Sequence, residues 1–392
     1  MNTLQQEDSP RCLSVLEVPF MSSRRRRETA KRLFVTVLAV LMGSSTLLAC
    51  TGADGVIAEI RTLVETYIRD DISPGLVVGL RFGETTWIEA FGISDIKTRD
   101  PLTAEHQFFV GSIAKQFTAA AVLRLIEEGQ VSLDASIASY LPDAPEAWSE
   151  ITIRHLLNHT SGICSLGSMP NDLGEGVIVS EMVIGFIRPT ELRFAPGEDW
   201  VYSTAGYYVL AYIVERITGA PFEAFVEQEF LGPLGMTDTG YRIQREPDRL
   251  AGYHRVYWQG EAMFVEPSDD VLGLGFGMYT TASDLFVWEA ALRSGRVVSA
   301  ATFAEMTKPT ETRSASGEVS IHDYGFGLEL RFDDLGTLSR VGHGGNGGGH
   351  IGIVWSYPEE DIVLIVLQNS DSMLPPLLEE IETVLLNACA SE

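Results

Sequence analysis

The two ends of this 392-residue chain read as strands and the middle reads as helices, and that order restricts the fold more than any other feature. LVVGLRFGE and TTWIEAFGI are β-rich runs separated by a glycine-containing turn, the pattern of a hairpin. At the far end YGFGLELRF, GTLSRVGHG and HIGIVWSYPEEDIVLIVLQN read as strands, the last broken by a turn at SYPEED. VIAEIRTLVETYI before the first hairpin and MLPPLLEEIETVLLNAC after the last strand carry apolar residues at helical spacing. Between them lie helical runs punctuated by Gly and Pro, among them ITIRHLLNH and TAGYYVLAYIVERITG. The strongest is FVGSIAKQFTAAAVLRLIEEG, closed by Gly129. The expectation is an α/β (α+β) protein with one antiparallel sheet built from both chain termini, flanking helices, and an inserted, mostly helical subdomain. The sheet portion is placed at about 56–102 and 270–392 and the insertion at about 103–269.

The first 50 residues stand apart. RRRRETAKR, from Arg24 to Arg32, precedes the apolar run LFVTVLAVLMGSSTLLA, which ends just before Cys50. A basic stretch, a short apolar stretch and small residues form the secretory pattern, and the run is too short and too diluted by Gly and Ser for a permanent span of about 20 residues. LLAC resembles a bacterial lipobox, which implies lipidation of Cys50; cleavage by the ordinary signal peptidase is the alternative. Met21 opens a normal leader, so residues 1–20 read as a misplaced start. Export to the cell envelope or periplasm, with a lipid anchor, is the expectation. Without these 50 residues the chain holds 21 Lys+Arg against 50 Asp+Glu, a surface that repels nucleic acid and anionic lipid. Beyond Cys50 only Cys164 and Cys389 remain in this part of the chain, far apart and without the spacings of a disulfide framework.

Positive charge in this chain is almost all arginine, 24 residues against 4 lysines, yet Lys115 stands inside the apolar run FFVGSIAKQF. A buried lysine can lose its proton and an arginine cannot. Ser112 lies three residues earlier at the start of the long helix, so amine and hydroxyl share a face. The helix N-terminus adds free N–H groups where an oxyanion could form. Phe108, Phe109, Val110 and Phe117 would desolvate the ammonium and lower its pKa. The only other S-x-x-K, Ser94 to Lys97, lies in a polar turn with no apolar helix after it. A helix-capping serine and a snorkelling lysine remain the structural alternative.

Around this pair the sequence resembles the serine β-lactamase and penicillin-binding protein superfamily. FFVGSIAKQFTAAAVLRLIEEGQVSLDASIASYLP is similar to its active-site helix. ITIRHLLNHTSGI, RFAPGEDWVYSTAGYYVLAYIVERITG, FLGPLGMTDT and GMYTTASDL are similar to the branch holding class C β-lactamases, D-alanyl-D-alanine peptidases and family VIII esterases. The resemblance implies Ser112 as nucleophile with Lys115 as its helix neighbour. Tyr202 of VYSTAG, shortly after the Pro196-Gly197 turn, falls at the tyrosine of the family's Tyr-x-Asn and would share the base and acid work. His343 of VGHGGNGG falls at a strand-edge motif where a donor faces the substrate and glycines, Gly345 among them, let the backbone approach. Asn346 and Ser112 would supply the oxyanion N–H groups.

Thr204 stands where the family has asparagine, and its shorter hydroxyl lacks the paired donor and acceptor of an amide. That departure favours esters over substrates with an acylamido side chain. The expected activity is therefore an exported, carboxylesterase-type serine hydrolase working through an acyl-enzyme on a small ester, amide or β-lactam. D-alanyl-D-alanine carboxypeptidase, D-aminopeptidase or class C-like β-lactamase activity is the alternative, with peptidoglycan stem peptides as substrates. A non-turnover envelope binding or sensor module is the second alternative. No metal or organic cofactor is implied: His155 and His159 are spaced i, i+4 like zinc ligands, but Leu156 stands where a metalloprotease carries glutamate. His350, Trp258, Trp355 and the aromatics around Tyr253 are further candidates to line a cleft.

Overall fold

The computed structural model describes residues 25–26, 52–70, 72–163, 185, 187, 191–241, 250–258, 261–265, 277–372 and 374–390. Cys50, Cys164 and nearly all of the leader lie outside them. Helix α1 (Ala53–Arg69) is followed by the hairpin β1 (Gly75–Phe82) and β2 (Thr85–Gly92). Further elements that matter to the site are α2 (Lys115–Glu127), α3 (Thr204–Thr218), α4 (Ala282–Arg293), β3 (Glu329–Phe332), β4 (Leu338–Gly347), β5 (His350–Tyr357), β6 (Ile362–Gln368) and α5 (Pro375–Ala390).

Six strands form one antiparallel sheet in the order β3-β4-β5-β6-β1-β2. The junction of the two chain ends is the β6–β1 ladder, where Leu364 faces Leu80 and Val366 faces Val78. All seven residues of β6 are buried, because helices cover both faces. Alternate side chains divide between two cores: Leu76, Val78, Leu80 and Leu364 pack with α1 and α5, while Val77, Val363, Ile365 and Leu367 pack with α2, α3 and α4. The helical region shares that second core continuously with the sheet, and the Phe117 and Trp288 rings stack at 3.7 Å across it.

Two of three local features differ from the sequence reading. The long helix opens as a 3-10 turn, Gly111–Ala114, before α2 begins at Lys115. The glycine run GGNG stays at the strand edge as expected, continuing β4 to Gly347 and paired with β5 throughout. A two-stranded hairpin, His254–Trp258 with Glu261–Val265, lies within the stretch read as helical. No helix among the described residues is long and apolar enough to cross a membrane.

Candidate active site

Two glycines bring the sheet against the start of α2. Gly111 turns the chain at φ +48°, and a Cβ there would stand 2.4 Å from the Asn346 carbonyl oxygen. A Cβ on Gly345 would stand 2.0 Å from the Val110 oxygen and 2.9 Å from the Ser112 nitrogen. Any side chain at either position would separate the two backbones. Their contact places the Ser112 amide beside the last residues of β4.

Lys115, the first residue of α2, is 1% exposed and its Nζ lies 2.9 Å from Ser112 Oγ and 3.3 Å from Thr204 Oγ1. The amine also lies 4.8 Å from the centre of the Tyr202 ring and 5.6 Å from that of Tyr207. Burial lowers its pKa to about 7, with the Glu329 carboxylate pulling in the other direction. The Tyr202 phenol is pushed well above its usual value by burial, against the Ser112 hydroxyl, which draws it down. Near neutrality the site thus holds an amine that can accept a proton and a phenol that keeps one. The second Ser/Lys pair has no such setting: the Asp95 carboxylate accepts from the Lys97 and Thr98 amides in a surface turn.

Thr204 and Tyr202 are fixed by the start of α3. Ser203 caps that helix by accepting from the Gly206 amide, and the Ser203 amide donates to His159 Nδ1 at 3.1 Å. An accepting Nδ1 leaves the proton on Nε2, so His159 is a neutral imidazole. Its ring centre is 4.4 Å from Tyr202, 4.6 Å from Tyr324 and 5.1 Å from Tyr207. Burial, Lys115 and His343 together hold its pKa well below the usual value. His159 is a brace for the tyrosine that the sequence reading weighed only as a metal ligand. Its partner in that reading, His155, accepts from the Thr152 amide in a helix cap, and no metal-binding cluster occurs among the described residues.

His343 lies inside the protein beside the tyrosines. It is 1% exposed, its Nδ1 lies 2.5 Å from the Gly344 carbonyl oxygen and its Nε2 lies 3.0 Å from the Tyr324 hydroxyl. Nδ1 therefore donates to the carbonyl and Nε2 accepts from the phenol. Burial and Lys115 lower its pKa to about 3, so it is neutral. Both ring nitrogens thus meet protein partners, Nε2 the Tyr324 hydroxyl and Nδ1 the Gly344 carbonyl. His350 and Trp355 are core residues as well; Trp355 packs on the opposite face of the sheet, beneath the Arg340 guanidinium at 3.8 Å.

The edge of β4 is open beside the serine. Pairing with β3 ends at the Glu329–Gly342 register, and no strand among the described residues continues it. The Gly344 amide points to that edge, where Glu329 Oε1 accepts it at 3.4 Å. Backbone direction repeats every two residues, so the Asn346 amide faces the same edge, next to the Ser112 amide. Two N–H groups from different elements thus converge near the hydroxyl. Glu329 escaped the sequence reading; the only signal was one carboxylate in the strand run FGLELRF.

An amine-coupled serine hydroxyl at a helix start, a neutral phenol, and paired amides between a helical region and an antiparallel sheet define a serine hydrolase. A Beta-lactamase family model matches residues 60–387, and the chain belongs to the beta-lactamase family. It is 28% identical over 291 residues to the putative penicillin-binding protein PbpX of Bacillus subtilis, covering 71% of each chain. It is 29% identical over 317 residues to esterase EstB of Burkholderia gladioli, covering 70% of this chain and 80% of that one. The octameric penicillin-binding protein homologue of Pyrococcus abyssi superposes with a TM-score of 0.70 at 25% identity, over 84% of this chain and 77% of that one.

Proposed function

We propose that this chain is a carboxylesterase-type hydrolase that turns over small esters through an acyl-enzyme on Ser112. The observation that carries the reading is the 2.9 Å approach of a buried lysine amine, its pKa lowered to about 7, to the Ser112 hydroxyl. Lys115 accepts the hydroxyl proton as Oγ attacks the carbonyl carbon. The Ser112 and Asn346 amides hold the developing oxyanion. The Tyr202 phenol donates to the departing alkoxide and regains a proton from the Lys115 ammonium. Water then attacks the acyl-enzyme with the same groups in reverse order.

Thr204 supports esters over acylamido substrates, because its hydroxyl lies 3.3 Å from Lys115 Nζ and is engaged by the amine. The similarity to esterase EstB supports the same choice. Export, with a lipid anchor at Cys50, belongs to this proposal and rests on the leader sequence. The test is parallel hydrolysis of a short-chain p-nitrophenyl ester and a chromogenic cephalosporin, with Ser112→Ala as control. Ester turnover without cephalosporin turnover is expected. Efficient cephalosporin turnover would instead favour a β-lactamase or peptidase, and a single-equivalent burst without steady state would favour a sensor. Tyr202→Phe, which removes only the phenolic proton, is expected to lower kcat by about 10²-fold or more, the usual range for a positioned general acid. A Tyr202→Phe enzyme with wild-type kcat would remove the phenol from the mechanism.

A further inference from the structure

The open edge of β4 carries, on the Gly344 amide, a carboxylate where the family pattern led us to expect a donor. Glu329 lies two residues along the strand from the Asn346 amide, about 7 Å at the rise of an antiparallel strand, so a substrate held by its carbonyl must run past it. The side chain is 16% exposed. Its contacts are the Gly344 amide and, at 3.5 Å, the neutral ring nitrogen of His343. The ring nitrogen donates its proton to the Gly344 oxygen, so this contact gives the carboxylate no positive partner. Burial raises its pKa to about 7, while the Gly344 amide, Arg340 and the Lys115 amine draw it down, so the group is a carboxylate chiefly above neutrality. Arg340 is held away from it, against Glu382 at 2.5 Å and over the Trp355 ring.

We infer that Glu329 is a specificity-determining residue: it makes the β4 edge a charge filter that excludes substrates with a carboxylate beside Gly344 and favours those with an ammonium there. A substrate carboxylate at this point would meet a like charge and find the edge amide already taken. An ammonium would pair with a carboxylate that has no cation in contact among the described residues. Neutral esters fall between the two. The inference rests on the serine-hydrolase reading and names the substrate class for that same site.

The experiment uses three thioacetates matched in size, with a trimethylammonium, a tert-butyl or a carboxylate terminus on the thiol, followed by thiol release. The same three charges are then placed on the acyl chain of a p-nitrophenyl ester, because the filter acts on whichever side runs along Gly344. Assayed at about pH 8.5, where Glu329 is ionised, the wild type is expected in at least one series to prefer the cation over the anion by about tenfold or more in kcat/KM. Glu329→Gln should bring that ratio within about threefold of unity, while a carboxylate that only braces the site would move all three substrates in parallel and leave the ratio intact. The general acidity of the surface cannot mimic this result, since the substitution removes one charge from the excess of 29 acidic groups that the chain carries without its first 50 residues. A ratio unchanged by Glu329→Gln in both series overturns the inference. So does equal handling of cation and anion by the wild type, a result that needs no variant to fold. Loss of Ser112-dependent turnover of the neutral ester would instead refute the hydrolase reading itself.

Discussion

Ser112→Ala is expected to reduce ester turnover by about 10⁴-fold or more while leaving the protein folded, which circular dichroism and thermal melting alongside the assay will check. The loss is large because the variant cannot form the acyl-enzyme at all; what survives is the contribution of the two amides and of binding. The structural cost is small. Ser112 is only partly buried, and what is lost is the bond from Lys115 and the contact with the Tyr202 phenol. A hydrogen bond of this kind contributes about 1 kcal/mol. Intact-mass measurement with a serine-directed phosphonate gives the same answer independently: a single adduct on the wild type and none on the variant. A variant that keeps more than about a tenth of the activity would place the nucleophile elsewhere.

Lys115→Arg is expected to be nearly as damaging as Lys115→Ala, each lowering kcat/KM by about 10²–10⁴-fold, the range a general base supplies. Charge is conserved in the first variant and lost in the second, so equal damage would show that the deprotonated amine, not the positive charge, is what the site uses. The pH profile adds a sign. With the amine pKa lowered to about 7, the free base grows as pH rises, so wild-type kcat/KM should climb through an acid limb near pH 7 and level off above it. Arginine, which stays protonated, should abolish that limb. The Glu329 carboxylate favours the ammonium, so Glu329→Gln should move the limb to lower pH. An arginine variant with near-wild-type rate would overturn the base assignment.

Much of this arrangement was legible before any coordinates. The sheet of two chain ends follows from where the β-rich runs fall, and the nearness of Ser112 to Lys115 follows from their i, i+3 spacing at a helix start, with the family resemblance supplying their roles. Thr204 was visible as a departure from Tyr-x-Asn, but its contact with the amine was not. What the structure adds to the sequence reading shares a physical cause. Whether His343 points out or in depends on Tyr324, nineteen residues earlier, whose hydroxyl lies against its outer nitrogen. His159 becomes a brace only because a backbone amide from residue 203 meets its ring. Glu329 matters through the Gly344 amide, which it meets just past the point where β3 stops pairing. Spacing along the chain carries the residues that share one helix or one strand; it carries little about partners brought together from distant segments.

The amides that would hold the oxyanion come from Ser112 and Asn346, more than 230 positions apart, and meet only because Gly345 and Gly111 let two backbones touch. Contacts of such long range are among the last that a chain can close, since loop entropy must be spent before they form. The nucleophile and its lysine sit within one turn and can associate early, but they remain incomplete until the last third of the sequence has docked. Hydrolytic competence is therefore a property of the finished molecule: a nascent or partly unfolded chain carries the reactive pair without the means to use it.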